Sequence, residues 1–105
     1  MTVEGKLLEL AKKLVAKTDS GTAAWEETGV ADKYITNFPQ FSVAIASTSG
    51  GYTISLIDQA GRTIEHLYGG EYSNEGQHLA ELYVRAKRQA HGVEQALDEI
   101  LSALG

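Results

Sequence analysis

The sequence predicts an α+β fold, with an N-terminal amphipathic helix, a three- or four-stranded antiparallel meander, and a long or bent C-terminal helix. Three observations carry that expectation. Apolar residues recur at steps of three and four between positions 3 and 17, and at steps of two between 41 and 68. The helical spacing then returns through Leu79, Tyr83, Ala86, Ala90, Val93, Leu97, Ile100 and Leu104.

In the first helix Val3, Leu7, Leu10, Ala11 and Leu14 share one side, with Lys6, Glu9, Lys13 and Lys17 opposite. Asp19, Ser20, Gly21 and Thr22 compete with helical backbone or fail to hold it, so the helix is expected to end near Thr18. Trp25 and Tyr34 are large enough to anchor the next segment, and Tyr34–Phe38 reads as a short edge strand stopped by Pro39.

From Phe41 the period is two. Phe41, Val43 and Ile45 form one apolar face, the Ser49-Gly50-Gly51 turn follows, and Tyr52, Ile54 and Leu56 repeat the pattern. Asp58-Gln59-Ala60-Gly61 makes the next turn. The strand after it, Arg62–Tyr68, is read with Ile64, His66 and Tyr68 on one face and Glu65 and Leu67 on the other. Ala44, Ala46, Ile57 and Leu67 leave the second face of the sheet partly apolar.

Ser73 or Asn74 suits the N-cap of the last helical stretch. Gly92 divides it. Phase continuity argues for one helix, whereas His91-Gly92-Val93 matches a Schellman stop, and an unbroken helix of about 30 residues would extend ~45 Å. A bend or break at Gly92 is the favoured reading. The expected core comprises Leu7, Leu10, Leu14, Val43, Ile45, Ile54, Leu56, Ile64, Leu79, Leu82, Tyr83, Ala86, Leu97 and Ile100, with both terminal helices on the Phe41/Val43/Ile45 face.

A chain of 105 residues and 43% hydrophobic content reads as one domain, 1–105, with room for one core but not for a deep enclosed cleft as well. The net charge of -5 disfavours a phosphate-backbone binder, so nucleic acid is not an expected partner. Charge is nevertheless segregated: Lys6, Lys12, Lys13 and Lys17 make the first 18 residues basic, while Glu94, Asp98 and Glu99 give the last 14 a charge of -3. The absence of cysteine removes disulfides, thiolate metal ligands and thiol nucleophiles, and fits the cytoplasm. Neither a signal peptide nor a membrane span is legible, since Glu9, Lys12 and Lys13 interrupt the first apolar stretch.

Chemistry has few footholds. His78, Glu81 and Arg85 share a helix face, but one histidine and one carboxylate are too few for zinc, and Glu81 with Arg85 reads as an i,i+4 ion pair. Neither glycine pair is followed by the Gly-Lys-Ser/Thr ending of a phosphate loop. Tyr83-Val84-Arg85-Ala86-Lys87-Arg88 places its ring on the apolar stripe and its cations off it, which separates it from a nucleic-acid helix. Trp25 beside Glu26 and Glu27 is either a core residue or the aromatic part of an acidic lip. His66 is a general base or a half-buried sheet histidine, and a pocket between sheet and helix would be lined by Trp25, His66 and Tyr68. No catalytic, cofactor-binding or metal-ligating set emerges.

The order of Trp25-Glu26-Glu27-Thr28, the meander with Asp58-Gln59-Ala60-Gly61 in its last turn, Leu79-Ala80-Glu81-Leu82-Tyr83-Val84-Arg85-Ala86, and Val93-Glu94-Gln95-Ala96-Leu97-Asp98-Glu99-Ile100-Leu101 resembles small bacterial proteins of unassigned function. The resemblance covers most of the chain from Trp25 onward and departs from it at Ala86-Lys87, where arginine is expected after the alanine. It implies an α-β-β-β-α arrangement and a bacterial or phage source, and brings no activity, cofactor or catalytic residue.

The functional expectation is a non-enzymatic interaction or regulatory module, acting through homodimerisation or a protein partner. The candidate interface is Val93, Leu97, Ile100, Leu101 and Leu104 on the C-terminal stripe. The alternatives are a small-ligand binder or minor enzyme built on the Trp25/His66/Tyr68 pocket, and an acidic inhibitor of a nucleic-acid-binding protein.

Overall fold

A computed structural model describes residues 2–105. Helix α1 (Val3–Asp19) is followed by five strands, β1 (Glu26–Glu27), β2 (Lys33–Asn37), β3 (Phe41–Thr48), β4 (Gly51–Asp58) and β5 (Thr63–Gly70), and then by helices α2 (Asn74–Ala90) and α3 (Val93–Leu104). The strands form one antiparallel sheet in sequential order, so the meander has five strands, the first being a two-residue addition at the β2 edge.

Local chemistry sets the helix ends. The Thr2 hydroxyl accepts from the Gly5 amide at 3.0 Å to begin α1, and Gly21 at φ 79° lets the chain leave it. The Ser73 hydroxyl accepts from the Gly76 amide at 2.9 Å while donating to the Gly70 carbonyl at 2.8 Å, which ties the start of α2 to the end of β5. Gly92 adopts the left-handed conformation at φ 64° and ψ 35°, so the C-terminal stripe is two helices rather than one.

Helices α1 and α2 pack on one face of the sheet. Leu7, Ala11 and Leu14 from α1 and Leu79, Leu82, Tyr83 and Ala86 from α2 enclose Val43, Ile45 and Ile54, and Trp25 completes the cluster. Leu10 and Leu56 are half-buried against it. Phe41, at the strand start, is exposed although it shares this face.

Three residues expected in the core lie outside it. Leu97 and Ile100 are exposed because α3 leaves the sheet altogether at Gly92. Ile64 is 49% exposed because β5 presents the opposite face from the one expected. Its pairing puts Leu67 opposite Ile54 on the helix side and His66 opposite Ser55 on the other. Glycine chemistry explains that parity. A Cβ on Gly69 would lie 2.5 Å from the Gly76 amide nitrogen, so residue 69 is the point at which α2 meets the strand. Residues 67 and 69 therefore both face the helices, and 66 and 68 face away. A bulge at Leu56/Ile57 accommodates the register at the other end of the strand.

The opposite sheet face carries the rows Ile35, Ala44, Ser55, His66 and Lys33, Ala46, Thr53, Tyr68. Ala44 alone among these is buried; the rest are half-buried or exposed.

Candidate protein-interaction surface

Helix α3 consists of 12 residues, and none of them is buried. Val93, Leu97, Ile100, Leu101 and Leu104 project from one side, while Glu94, Asp98, Ser102, Gln95 and Glu99 occupy the other. Leu97 is 54% exposed, Ile100 57%, Leu101 64% and Leu104 80%. Within its own chain the helix packs against α2, near the Gly92 joint. The candidate interface thus forms one continuous apolar strip on a projecting helix. Isolated helices of this length are marginal in water, and most helical stability in proteins comes from packing of the apolar face.

The joint from which α3 departs is held by side chains distant in sequence. His91, the C-cap of α2, places Nε2 at 3.0 Å from both the Tyr34 hydroxyl and Glu27 Oε1. The Gln89 side chain accepts from the Trp25 amide and donates to the Ala23 carbonyl, both at 2.6 Å, clamping the segment before β1 to the last turn of α2. Thr18 receives the indole N–H of Trp25 at 2.9 Å. Arg85 does not pair with the Glu81 carboxylate as expected; its Nε donates to Asp19 at 2.8 Å and its Nη1 to the Glu81 carbonyl at 3.2 Å, fastening α1 to α2.

Behind His91 lies a tyrosine cluster. The Tyr83 ring sits 5.8 Å from Tyr34 and 5.4 Å from Tyr52, with the Lys87 ammonium 6.0 Å from its centroid. The Tyr83 hydroxyl donates to Asp32 Oδ1 at 3.2 Å. Burial, reinforced by the Asp32 charge and that hydrogen bond, pushes the Tyr83 phenol up to about 12. Burial also raises Tyr34, with the charges of Asp32 and Glu27 adding to it. A phenol whose folded pKa is raised contributes stability that is complete below the unfolded value of about 10 and is lost as pH climbs through the folded one. Unfolding free energy should therefore fall between pH 10 and 12, and the fall should be smaller for Tyr83→Phe; urea titrations of both proteins across that window measure the difference.

The residues expected to line a ligand pocket do not come together. Trp25 is buried on the helix side, whereas His66 and Tyr68 stand exposed on the opposite sheet face. Glu26 and Glu27 are taken up in pairing with Ile35 and Tyr34, and Glu27 turns to His91 instead of forming an acidic lip with the indole. A cleft of about 480 Å³ does open where α1, α2 and α3 meet, lined by Asp19, Arg85, Arg88, Gln89 and Val93 among others. Its Arg85 is already engaged by Asp19. Among the described residues no group of three or more histidines and carboxylates is placed to hold a metal ion.

Sequence reasoning named Tyr34 only as an anchor and His91 only as part of a helix stop. The 57 positions between these two side chains explain why no spacing rule linked them.

No family model, curated protein or solved structure matches this chain. None of its described helices is long and apolar enough to cross a membrane.

Proposed function

We propose that this chain is a non-enzymatic protein-interaction module whose docking element is α3, engaged by a second copy or by another protein. The observation that carries the reading is the exposure by more than half of Leu97, Ile100, Leu101 and Leu104 on one side of a single helix. Each such side chain contributes roughly 1.5–3 kcal/mol when fully buried, so a helix of this kind gains by being covered. An amphipathic helix laid into an apolar groove or onto an apolar surface is a recurring recognition mode.

The rest of the molecule acts as a rigid mount. The Gln89 clamp, the His91 contacts and the Arg85–Asp19 pair all lie within the last two turns of α2, where they set the direction in which α3 leaves. A second function class, a ligand pocket at Trp25, His66 and Tyr68, needs those side chains on one wall, and they stand on opposite faces of the sheet.

Removal of α3 tests the proposal. A chain ending at Gly92 should retain its sheet and helix signals by circular dichroism and melt within a few degrees of the full chain, because α3 contributes no buried residue. Any association seen by sedimentation for the full chain should be lost. A truncated chain that fails to fold would show instead that the stripe serves the domain's own stability.

A further inference from the structure

The two C-terminal helices share a pattern that the bent form does not use. The exposed strip Leu97, Ile100, Leu101 and Leu104 repeats the buried set Leu79, Leu82, Tyr83 and Ala86 position for position, each 18 residues on. That offset is about five turns of an α-helix, so on one uninterrupted helix the two sets would lie in a single line. Ala90 and Val93, both half-buried, would fill the line between them. A helix that always left α2 at a bend would have no reason to keep this phase.

Backbone chemistry points the same way. The amide of Gly92 donates to the Gln89 carbonyl at 3.1 Å to close the left-handed turn, and α3 begins without a side-chain cap. Among the described residues nothing accepts from the amides of Val93, Glu94 and Gln95, which a continuous helix would seat on the carbonyls of Gln89, Ala90 and His91. Little opposes that gain, because α3 has no buried residue in the bent form. His91 already has φ -88° and ψ -2°, near the helical region, so the dihedrals of Gly92 carry nearly all of the change. Glycine adopts either hand with similar ease, and the site is open, since a Cβ there would meet nothing within 4 Å. The bonds of Arg85, Gln89 and His91 hold α2 as far as residue 91 and do not reach beyond it.

We propose that Gly92 is a two-state joint, at which the chain interconverts between the bent form and one in which α2 and α3 run as a single helix from Asn74 to Leu104. The exchange relocates the apolar strip without disturbing the sheet. In the straight form the strip continues the line of the buried side of α2; in the bent form it leaves that line, and residues 92–95 become one wall of the cleft where α1, α2 and α3 meet. The joint thereby governs where the docking helix stands. That consequence rests on α3 being the docking element, whereas the exchange itself belongs to the single chain.

Distances within one chain test this. Because the sequence has no cysteine, Lys12→Cys and Ser102→Cys, both at exposed positions, place one spin label on α1 and one on α3. Pulsed dipolar spectroscopy in an excess of unlabelled chain then reads only the intramolecular distance. Two variants bracket it. Gly92→Ala is disfavoured in the left-handed conformation and favoured inside a helix. Glu94→Pro is tolerated in the first turn of α3, but in a continuous helix it removes a hydrogen bond and meets the Ala90 carbonyl. The unmodified joint should show two distances, Gly92→Ala should shift their ratio toward the straight form by about tenfold or more, and Glu94→Pro should show the bent form alone. One distance shared by all three would overturn the joint. So would an unmodified joint that matches Glu94→Pro with no second distance, even if Gly92→Ala straightens. Sedimentation of the unlabelled chain with and without α3 reports separately on docking, so a rigid joint and a helix that docks on nothing give different results.

Discussion

Replacing Gly76 with alanine should lower the stability of this chain by about 3 kcal/mol or more, at the upper end of what overpacking a tight contact costs. The added Cβ would run into the carbonyl oxygen of Gly70 and stand 3.1 Å from the carbonyl carbon of Gly69. Both are strand backbone, so no side-chain rotation relieves the clash. Alanine ordinarily favours a helix by up to about 1 kcal/mol over glycine, less in the first turn, and that gain is smaller than the steric cost. The chain would separate α2 from β5, and with it Leu79 and Leu82 from the core. Gly29→Ala is the matched control, because a Cβ there meets nothing within 4 Å. Urea denaturation of the two variants beside the unmodified chain should give a large fall for one and little change for the other.

The Ile100→Glu and Leu101→Glu substitutions, made together, should leave the melting temperature within a few degrees and abolish association. Both side chains are more than half exposed, so the isolated domain loses almost no burial. In an assembled state each site forfeits up to roughly 1.5–3 kcal/mol of apolar burial, and a carboxylate must then be desolvated or must disrupt the contact. A combined loss above about 3 kcal/mol corresponds to more than a hundredfold weaker binding. Sedimentation velocity at matched concentrations, with thermal melts of the same samples, separates the two effects.

Periodicity made most of this architecture legible. Alternation through Val43, Ile45, Ile54 and Leu56 identified two strands and their buried face, and the 3.6-residue spacing from Leu79 to Ala86 identified the buried side of α2. Gly92 was informative because it combines a left-handed conformation with the end of a helical pattern. The faces of β5 were read the wrong way round for a physical reason. Ile64, His66 and Tyr68 look apolar as a set, but parity in this strand is dictated by the approach of Gly76 to Gly69, a contact that leaves no trace in hydrophobic pattern. Gly50-Gly51 was read as turn chemistry, yet Gly51, like Gly69, is a buried strand position where backbone passes close to backbone.

The candidate interface was visible for the same reason that Leu97 and Ile100 were misplaced. A stripe of apolar residues on a helix announces burial without naming what buries it. Counting those two residues in the core assumed that the domain supplies the cover, whereas the helix leaves the sheet at Gly92. The side chains that hold the joint, Gln89 and His91, gave no signal because their partners Ala23, Trp25, Glu27 and Tyr34 lie more than fifty positions away.

Hydrogen exchange along α3 at two protein concentrations is the most direct measure of the central claim, that this helix is uncovered in a single copy and buried on assembly. Amides 97–104 should exchange within about tenfold of the unstructured rate in dilute solution and become protected as concentration rises, while those of α2 remain protected throughout. Strong protection of α3 that is the same at both concentrations would contradict the account, since the helix would then be held by its own domain.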